Sequence, residues 1–330
     1  MADRPASPRV IVTRRLTPSV EARMAELFDT ALNPDDHALS ADELIAAVAE
    51  ADVLVPTVTD AIDARVIEAA GPRLKLIANF GNGVDHIDLK AARAKGIIVT
   101  NTPGVLTEDT ADMAMALILS VPRRLPEGEA LARSGTWTGW SPTSMLGRSL
   151  QGKTLGILGM GRIGQAVARR ARAFGLAIRY HNRHRLPSVV EAELGAVYRA
   201  DLDQMLAEVD ILSSHCPHTP ETHRIIDARR LALLGPEGFL INVARGEIVD
   251  EAALAAALAA GTIAGAGLDV FAQAPIVPPA LLAQPNALLL PHMASATHEA
   301  RDATGAKVIA NIRVWADGHR PPDQVLEGWV

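Results

Sequence analysis

"TLGILGMGRIGQAVARRA" occupies residues 154–171, and how it is read decides the fold. Its aliphatic start has strand character and its alanine- and arginine-rich end has helical character. Between them stands Gly159-x-Gly161-x-x-Gly164. Alone, that spacing is a weak signal. Directly after a strand and opening a helix, it stands in the context a dinucleotide fingerprint requires. Gly159 permits the tight turn, Gly161 lets a pyrophosphate approach the backbone, and Gly164 lets helix and strand pack closely. The free N–H groups of the helix start then face the phosphates. Met160, Arg162 and Ile163 fill out the loop and join the glycines as candidate cofactor contacts. The plainer alternative is a purely structural strand–turn–helix.

The same alternation runs outward in both directions. Upstream, strand candidates at 9–13, 52–56, 74–80 and 96–100 enclose helical patterns at about 18–30, 41–51 and 61–70. Downstream of 154–159, strand candidates follow at 177–181, 209–215, 238–243, 264–270 and 286–291, with helices such as "IGQAVARRARAFG" and "DEAALAAALAAG" between them. Repeated strand–helix units make parallel sheets with right-handed crossovers. Two series predict two α/β domains, each a doubly wound parallel sheet. The boundary is expected near "TNTPGV" (100–105), before a long helix with Thr107 as a plausible N-cap. After His292 comes one more helical stretch, expected to return and pack on the first domain. The division is therefore 1–101 with 294–330, and 102–293.

Composition narrows the class. At 330 residues, the chain suits two domains. Hydrophobic residues make up 48% and aromatics only 3%, so the cores are aliphatic, as buried parallel strands under helices require. A net charge of −6 argues against a nucleic-acid surface. Cys216 is the single cysteine, so no internal disulfide forms and a reducing, cytoplasmic setting is expected. No apolar run approaches the roughly 20 residues that span a bilayer.

The end of the second strand of a dinucleotide fold selects the cofactor. An acidic residue there binds the ribose 2′-OH of NAD, whereas an arginine accommodates the 2′-phosphate of NADP. This chain reads "YHNRHR" at 180–185, with Asn182 where the acid is expected and Arg183 and Arg185 close behind. A guanidinium holds a phosphate on a planar fork. The segment therefore predicts a preference for NADP(H). If the arginines are only solvated loop charges, NAD(H) is used as well.

Taken together, the segments resemble the D-2-hydroxyacid dehydrogenase family, especially its glyoxylate/hydroxypyruvate reductase branch. The matching stretches are "NFGNGVDHID", "NTPGVLTEDTADMAMAL", "GKTLGILGMGRIGQAVARRA", "SHCPHTPETHRIID", "INVARGEIVDEAAL", "GLDVF" and "PHMASAT". The resemblance implies a flavodoxin-like substrate domain with an inserted Rossmann cofactor domain, a site in the cleft between them, and a homodimer formed through the cofactor domain. The reaction it implies is hydride transfer between a nicotinamide and the C2 of a small 2-oxo acid. Arg245 matches the arginine that holds the substrate's carboxylate and carbonyl oxygens, a task suited to a fork. His292 matches the general acid/base, and histidine suits proton transfer near neutral pH. Asn82 and Gly83, in a glycine-rich loop, match the backbone that receives the substrate carboxylate. Trp140, with Trp137 nearby, matches a dimer-contact loop whose tryptophan either reaches the partner's site or simply packs there. Thr107, Cys216, Pro217, Thr222, Val243, Ala244, Asp269 and Ser295 match further cofactor contacts. Asp85, His86 and Asp88 look like a metal cluster but are assigned to structure, since this hydride transfer needs no metal.

One position departs from the pattern. The family carries a glutamate before the proline of a "DVF-x-x-E-P" segment, where it pairs with the histidine. This chain reads "DVFAQAP", with Ala274 at that position. Either the enzyme works without the pair, or Gln273 or a water substitutes for it, or the chain is a cofactor-binding pseudo-enzyme or regulatory module resembling the corepressor branch. Phosphoglycerate dehydrogenase is a further alternative.

Overall fold

The computed structural model describes residues 7–326. They divide into two compact units, one of residues 7–106 with 296–326 and one of residues 107–295. The first runs β1 (Arg9–Val12), α1 (Pro18–Leu27), β2 (Asp29–Ala31), α2 (Ala41–Glu50), β3 (Val53–Val55), α3 (Ala64–Glu68), β4 (Leu76–Ala78), α4 (Leu89–Ala94) and β5 (Ile98–Thr100). The second runs α5 (Thr107–Ser120), α6 (Leu125–Arg133), β6 (Thr154–Leu158), α7 (Arg162–Ala173), β7 (Ala177–His181), α8 (Ser188–Leu194), β8 (Ala196–Tyr198), α9 (Leu202–Glu208), β9 (Ile211–Ser214), α10 (Ala228–Leu234), β10 (Phe239–Asn242), α11 (Glu251–Ala259), β11 (Gly265–Leu268), α12 (Pro279–Leu282) and β12 (Ala287–Leu289). A long α13 (His298–Ala316) then rejoins the first unit. Among the described residues, no helix is long and apolar enough to cross a membrane.

The first sheet has the order β2-β1-β3-β4-β5, every pair parallel. This is the doubly wound, flavodoxin-like order. Along β3 the side chains alternate. Val53 and Val55 join a core with Val20, Met24, Val308, Ile312 and Trp315, whereas Leu54 joins one with Leu44, Val48, Val66 and Ile67. Helix α13 sits tightly on α1, because a Cβ at Gly305 would run into the Val20 side chain. Asp302 then accepts hydrogen bonds from the hydroxyls of Thr17 (2.5 Å) and Ser19 (2.8 Å).

The second sheet has the order β12-β11-β10-β9-β6-β7-β8, again all parallel. Ile157, Ile211 and Ile241 pack under α5 and α7. Leu158, Leu212, Leu240 and Leu268 pack under α9, α10 and α11. From β6 the chain steps outward to β7 and β8, then returns to β9 on the other side. That places the topological switch point, where doubly wound sheets hold their ligands, between β6 and β9.

Three details differ from the sequence reading. Thr107 is the first residue of α5 rather than its cap, because the turn at 103–106 leads straight into the helix. The division falls at 106/107 and 295/296 rather than 101/102 and 293/294. Asn101 and Thr102 stay with the first unit by donating their amides to Asp323 O and Gly81 O. The strands β2 and β8 have no counterpart in the apolar pattern. Each is a three-residue edge strand, and neither is a fully buried run.

Candidate active site

Because the second sheet is parallel throughout, the C-terminal ends of its strands share one edge. The glycine loop opens that edge at β6. Gly159 has φ +97°, and a Cβ there would lie 2.5 Å from Cys216 N. A Cβ at Gly164 would overlap Gly159 O, so helix and strand touch backbone to backbone. A Cβ at Gly161 would meet nothing within 4 Å among the described residues beyond its own chain neighbours, which leaves open the space a pyrophosphate would need. Helix α7 starts there with Gly161 as its N-cap and no side-chain cap, so its first N–H groups are available to phosphate oxygens. The residues fit the group. Met160 is buried while Arg162 is exposed.

At the end of β7, Asn182 turns back on the glycine loop, its Oδ1 accepting the Met160 amide at 2.7 Å. Arg183 is exposed, and its charge lowers the pKa of Glu221, whose carboxylate is held chiefly by the Thr219 hydroxyl. Arg185 forks onto Glu191 of α8 at 2.9 and 2.7 Å.

The end of β9 carries the 213–223 segment. Burial pushes the His215 ring down to about 3, so it is neutral; Ser213 Oγ lies 2.8 Å from its Nε2, and its Nδ1 has no hydrogen-bond partner among the described residues. Burial likewise pushes the Cys216 thiol up to about 12, which disqualifies it as a nucleophile. The Cys216 side chain packs into the apolar core beneath the glycine turn. Pro217 is exposed. The Thr222 hydroxyl donates to Pro217 O at 2.8 Å and accepts the Thr219 amide at 2.7 Å, which shapes the turn.

At the end of β10, Asn242 is 1% exposed and grips the residues that follow it. Its Oδ1 accepts the Ala244 amide at 3.1 Å, and its Nδ2 donates to Arg245 O at 2.8 Å. Val243 is buried. Arg245 Nη1 donates to Ala244 O at 2.8 Å. Gly246 then lies directly on the "DVFA" segment, since a Cβ there would strike the Phe271 and Ala272 backbone. Glu251 holds the same segment by accepting the Ala272 amide at 2.8 Å. Burial raises the Glu251 carboxyl, and the amide opposes that.

Asp269, just past β11, is 0% exposed. Its two oxygens accept the amides of Met293 at 2.7 Å and Ala294 at 2.9 Å. Burial raises its carboxyl, while those amides and the charge of His292 pull it down. His292 follows β12 and holds φ +55°, a left-handed conformation that side chains rarely adopt without external support. Asp269 supplies that support through the next two residues. His292 and Ala274 are both exposed, and Ser295 is half-buried. Arg245, Asp269 and His292 thus follow three neighbouring strands, β10, β11 and β12.

Trp137 and Trp140 lie on the 134–149 segment, which has no helix or strand and leaves them 60% and 82% exposed. A cavity of about 480 Å³ lined by Phe239, Ala264 and Asn286 opens at the opposite edge of the sheet and takes no part in this constellation.

In the first unit, the loop after β4 is shaped by Asn79, which is 0% exposed. Its Nδ2 donates to Gly81 O (3.0 Å) and Gly83 O (2.8 Å), and Asn101 Nδ2 donates to Asn82 O (2.8 Å). Three successive carbonyls are thereby taken by side chains. His86 Nε2 lies 3.1 Å from Asn79 Oδ1, and Asp88 caps α4 by accepting the Ala91 amide at 2.9 Å. The sequence reading missed Asn79, Asn242, Glu191 and Glu251. Glu191 and Glu251 act on Tyr180 and Ala272, 11 and 21 residues away, whereas the asparagines fold back on the loop that follows them, and the apolar setting of "LIANF" and "FLINV" was the one available signal for the two asparagines.

Residues 115–294 match the family described as D-isomer specific 2-hydroxyacid dehydrogenase, NAD binding domain. Over 322 residues the chain is 45% identical to a glyoxylate reductase of Thermococcus litoralis, covering 96% of each. It is 44% identical over 323 residues to a glyoxylate reductase of Aeropyrum pernix, again covering 96% of each. Among solved structures, the NADPH-dependent glyoxylate/hydroxypyruvate reductase of Sinorhizobium meliloti, in complex with NADP and malonate, is 41% identical, with a TM-score of 0.87 and 97% of each chain covered.

Proposed function

Since the chain belongs to the D-isomer-specific 2-hydroxyacid dehydrogenase family, in its glyoxylate reductase branch, we propose that it reduces glyoxylate or hydroxypyruvate to the 2-hydroxy acid, with NADPH preferred over NADH. The observation that carries this reading is the series Arg245, Asp269 and His292 on three adjacent strand ends, at the sheet edge that begins with the glycine loop. When bound, the nicotinamide supplies the hydride. Arg245 grips the substrate carboxylate and carbonyl oxygen on its fork, which presents one face of C2 and polarises the C=O bond. His292 delivers a proton to the carbonyl oxygen as that oxygen gains charge. The backbone N–H groups of Asn82 and Gly83 receive the carboxylate, a role suited to a loop whose carbonyls are already taken.

The glycine loop with Met160, Arg162 and Ile163 holds the pyrophosphate. Arg183 faces the 2′-phosphate, and Thr107, Pro217, Thr222, Val243, Ala244 and Ser295 line the rest of the cofactor. The active form is a cytoplasmic homodimer built through the second unit, with Trp140 at its contact. A panel of glyoxylate, hydroxypyruvate, pyruvate and 3-phosphoglycerate, run in the appropriate direction with each cofactor, tests the reading. Turnover of the first two with NADPH is expected, and Arg245→Ala should lower kcat/KM by roughly 10²- to 10³-fold. Tight NADPH binding without turnover of any substrate would point instead to a regulatory module, which Ala274 would favour.

A further inference from the structure

The two arginines after β7 are not equivalent. Arg185 is already forked onto Glu191 at 2.9 and 2.7 Å. That carboxylate is only 9% exposed, and it also accepts the Tyr180 hydroxyl at 2.7 Å. Tyr180 is itself fully buried and accepts the Leu186 amide at 2.9 Å, so the network ties α8 and the 182–187 loop to the floor of β7. On the other side, the Arg185 guanidinium lies 5.9 Å from the Tyr198 ring centroid, and Tyr198 donates its hydroxyl to Asn182 O at 3.1 Å. Arg185 is therefore held by a fork and an aromatic face. Arg183 is exposed.

We propose that Glu191 is a specificity-determining residue. By holding Arg185 on its two-bond fork, it leaves the reading of an adenosine 2′-phosphate to Arg183 alone, and so keeps the site open to the unphosphorylated dinucleotide. The proposal rests on the reading of the β6–β7 edge as the dinucleotide site. Its physical basis is competition. A phosphate seeking Arg185 must displace a carboxylate that is buried, correctly oriented and already bonded by a second donor, and its own charge is repelled by that carboxylate. Arg183 has no such fork to break. Glu191 acts through Arg185 and is a positioning residue.

The test is the affinity of the folded full-length protein for two fragments, 2′,5′-ADP and 5′-AMP, by titration calorimetry without substrate. Arg183→Ala is expected to lower the 2′,5′-ADP/5′-AMP affinity ratio by roughly tenfold or more, and Arg185→Ala to leave it within about twofold. Glu191→Gln keeps the shape, frees Arg185 and should raise the ratio about tenfold, a gain that Glu191→Gln/Arg185→Ala should lose. The proposal is overturned if Arg185→Ala lowers the ratio as much as Arg183→Ala. It is also overturned if Glu191→Gln leaves the ratio unchanged or weakens both fragments together, as a merely structural residue would. If the native protein binds neither fragment, the dinucleotide reading fails first and this proposal with it. If it binds both and only the variant pattern is wrong, the cofactor reading stands and this proposal falls.

Discussion

At the scale of single residues, the histidine proposed as the acid/base is held by the backbone. His292 takes a left-handed φ, and the next two amides close on one buried carboxylate, Asp269. An asparagine at 269 presents one oxygen and one N–H₂ to two N–H donors, so one amide loses its acceptor. Asp269→Asn is expected to cost about 1–3 kcal/mol of stability. Urea denaturation checks this, and an unchanged midpoint at unchanged slope would contradict it. Ala274 raises a question of charge. A carboxylate placed near an imidazolium stabilises the protonated form, so the protonated general acid survives to higher pH. The alkaline limb of kcat/KM for reduction should therefore move upward in Ala274→Glu. Superimposable profiles for the two proteins would show that position 274 does not communicate with His292.

At the scale of elements, the β6–α7 junction separates two uses of glycine that the motif alone runs together. Gly164 is needed by the protein, because a Cβ there meets Gly159 O. At Gly161 the protein imposes no such demand, because a Cβ there meets nothing, so the proposed reason for that glycine is the dinucleotide. Gly164→Ala should therefore lower the melting temperature, with a destabilisation of about 1–3 kcal/mol from overpacking. Gly161→Ala should leave the melting temperature unchanged while weakening NADPH binding. Thermal melts paired with calorimetric titration tell the two apart, and equal destabilisation would refute the distinction. This junction was legible in the sequence because the contact between Gly159 and Gly164 is local, although Gly159 also abuts Cys216 and the Met160 amide bonds Asn182. The 182–191 network was only half legible. The arginines were visible as charges, but whether Arg185 was free depended on Glu191, on another element.

At the scale of the whole molecule, each unit buries aliphatic cores on both faces of its own sheet. Among the large hydrophobics left exposed, Leu125 (54%), Trp137 (60%), Trp140 (82%) and Leu146 (64%) fall on one short helix and the irregular segment that follows it, and both exposed tryptophans are there. Large aromatics at interfaces often carry much of the association energy. Trp140→Ala is expected to weaken self-association at least roughly tenfold, read by sedimentation equilibrium. A native chain that stays monomeric at all concentrations would overturn the homodimer. An unchanged dimer with a raised KM would instead place Trp140 against substrate.

By itself, the sequence determined the alternation of strands and helices, the glycine turn, the family resemblance, and the residue types offered for anchoring and proton transfer. Those depend on periodicity and on neighbours within a few positions. Only the tertiary structure decided which polar residues hold the others. Asn79 shapes the 81–83 loop, Asn242 aims the segment carrying Arg245, Asp269 pins the turn after His292, and Glu191 restrains Arg185. For "DVFAQAP", the family resemblance implies a carboxylate where the chain has Ala274. The fold shows that another, Asp269, lies buried where its field reaches His292. The reason is the parallel sheet. It gathers the strand ends of residues far apart in sequence onto one edge, and a hydrogen bond between such ends leaves no periodic trace along the chain.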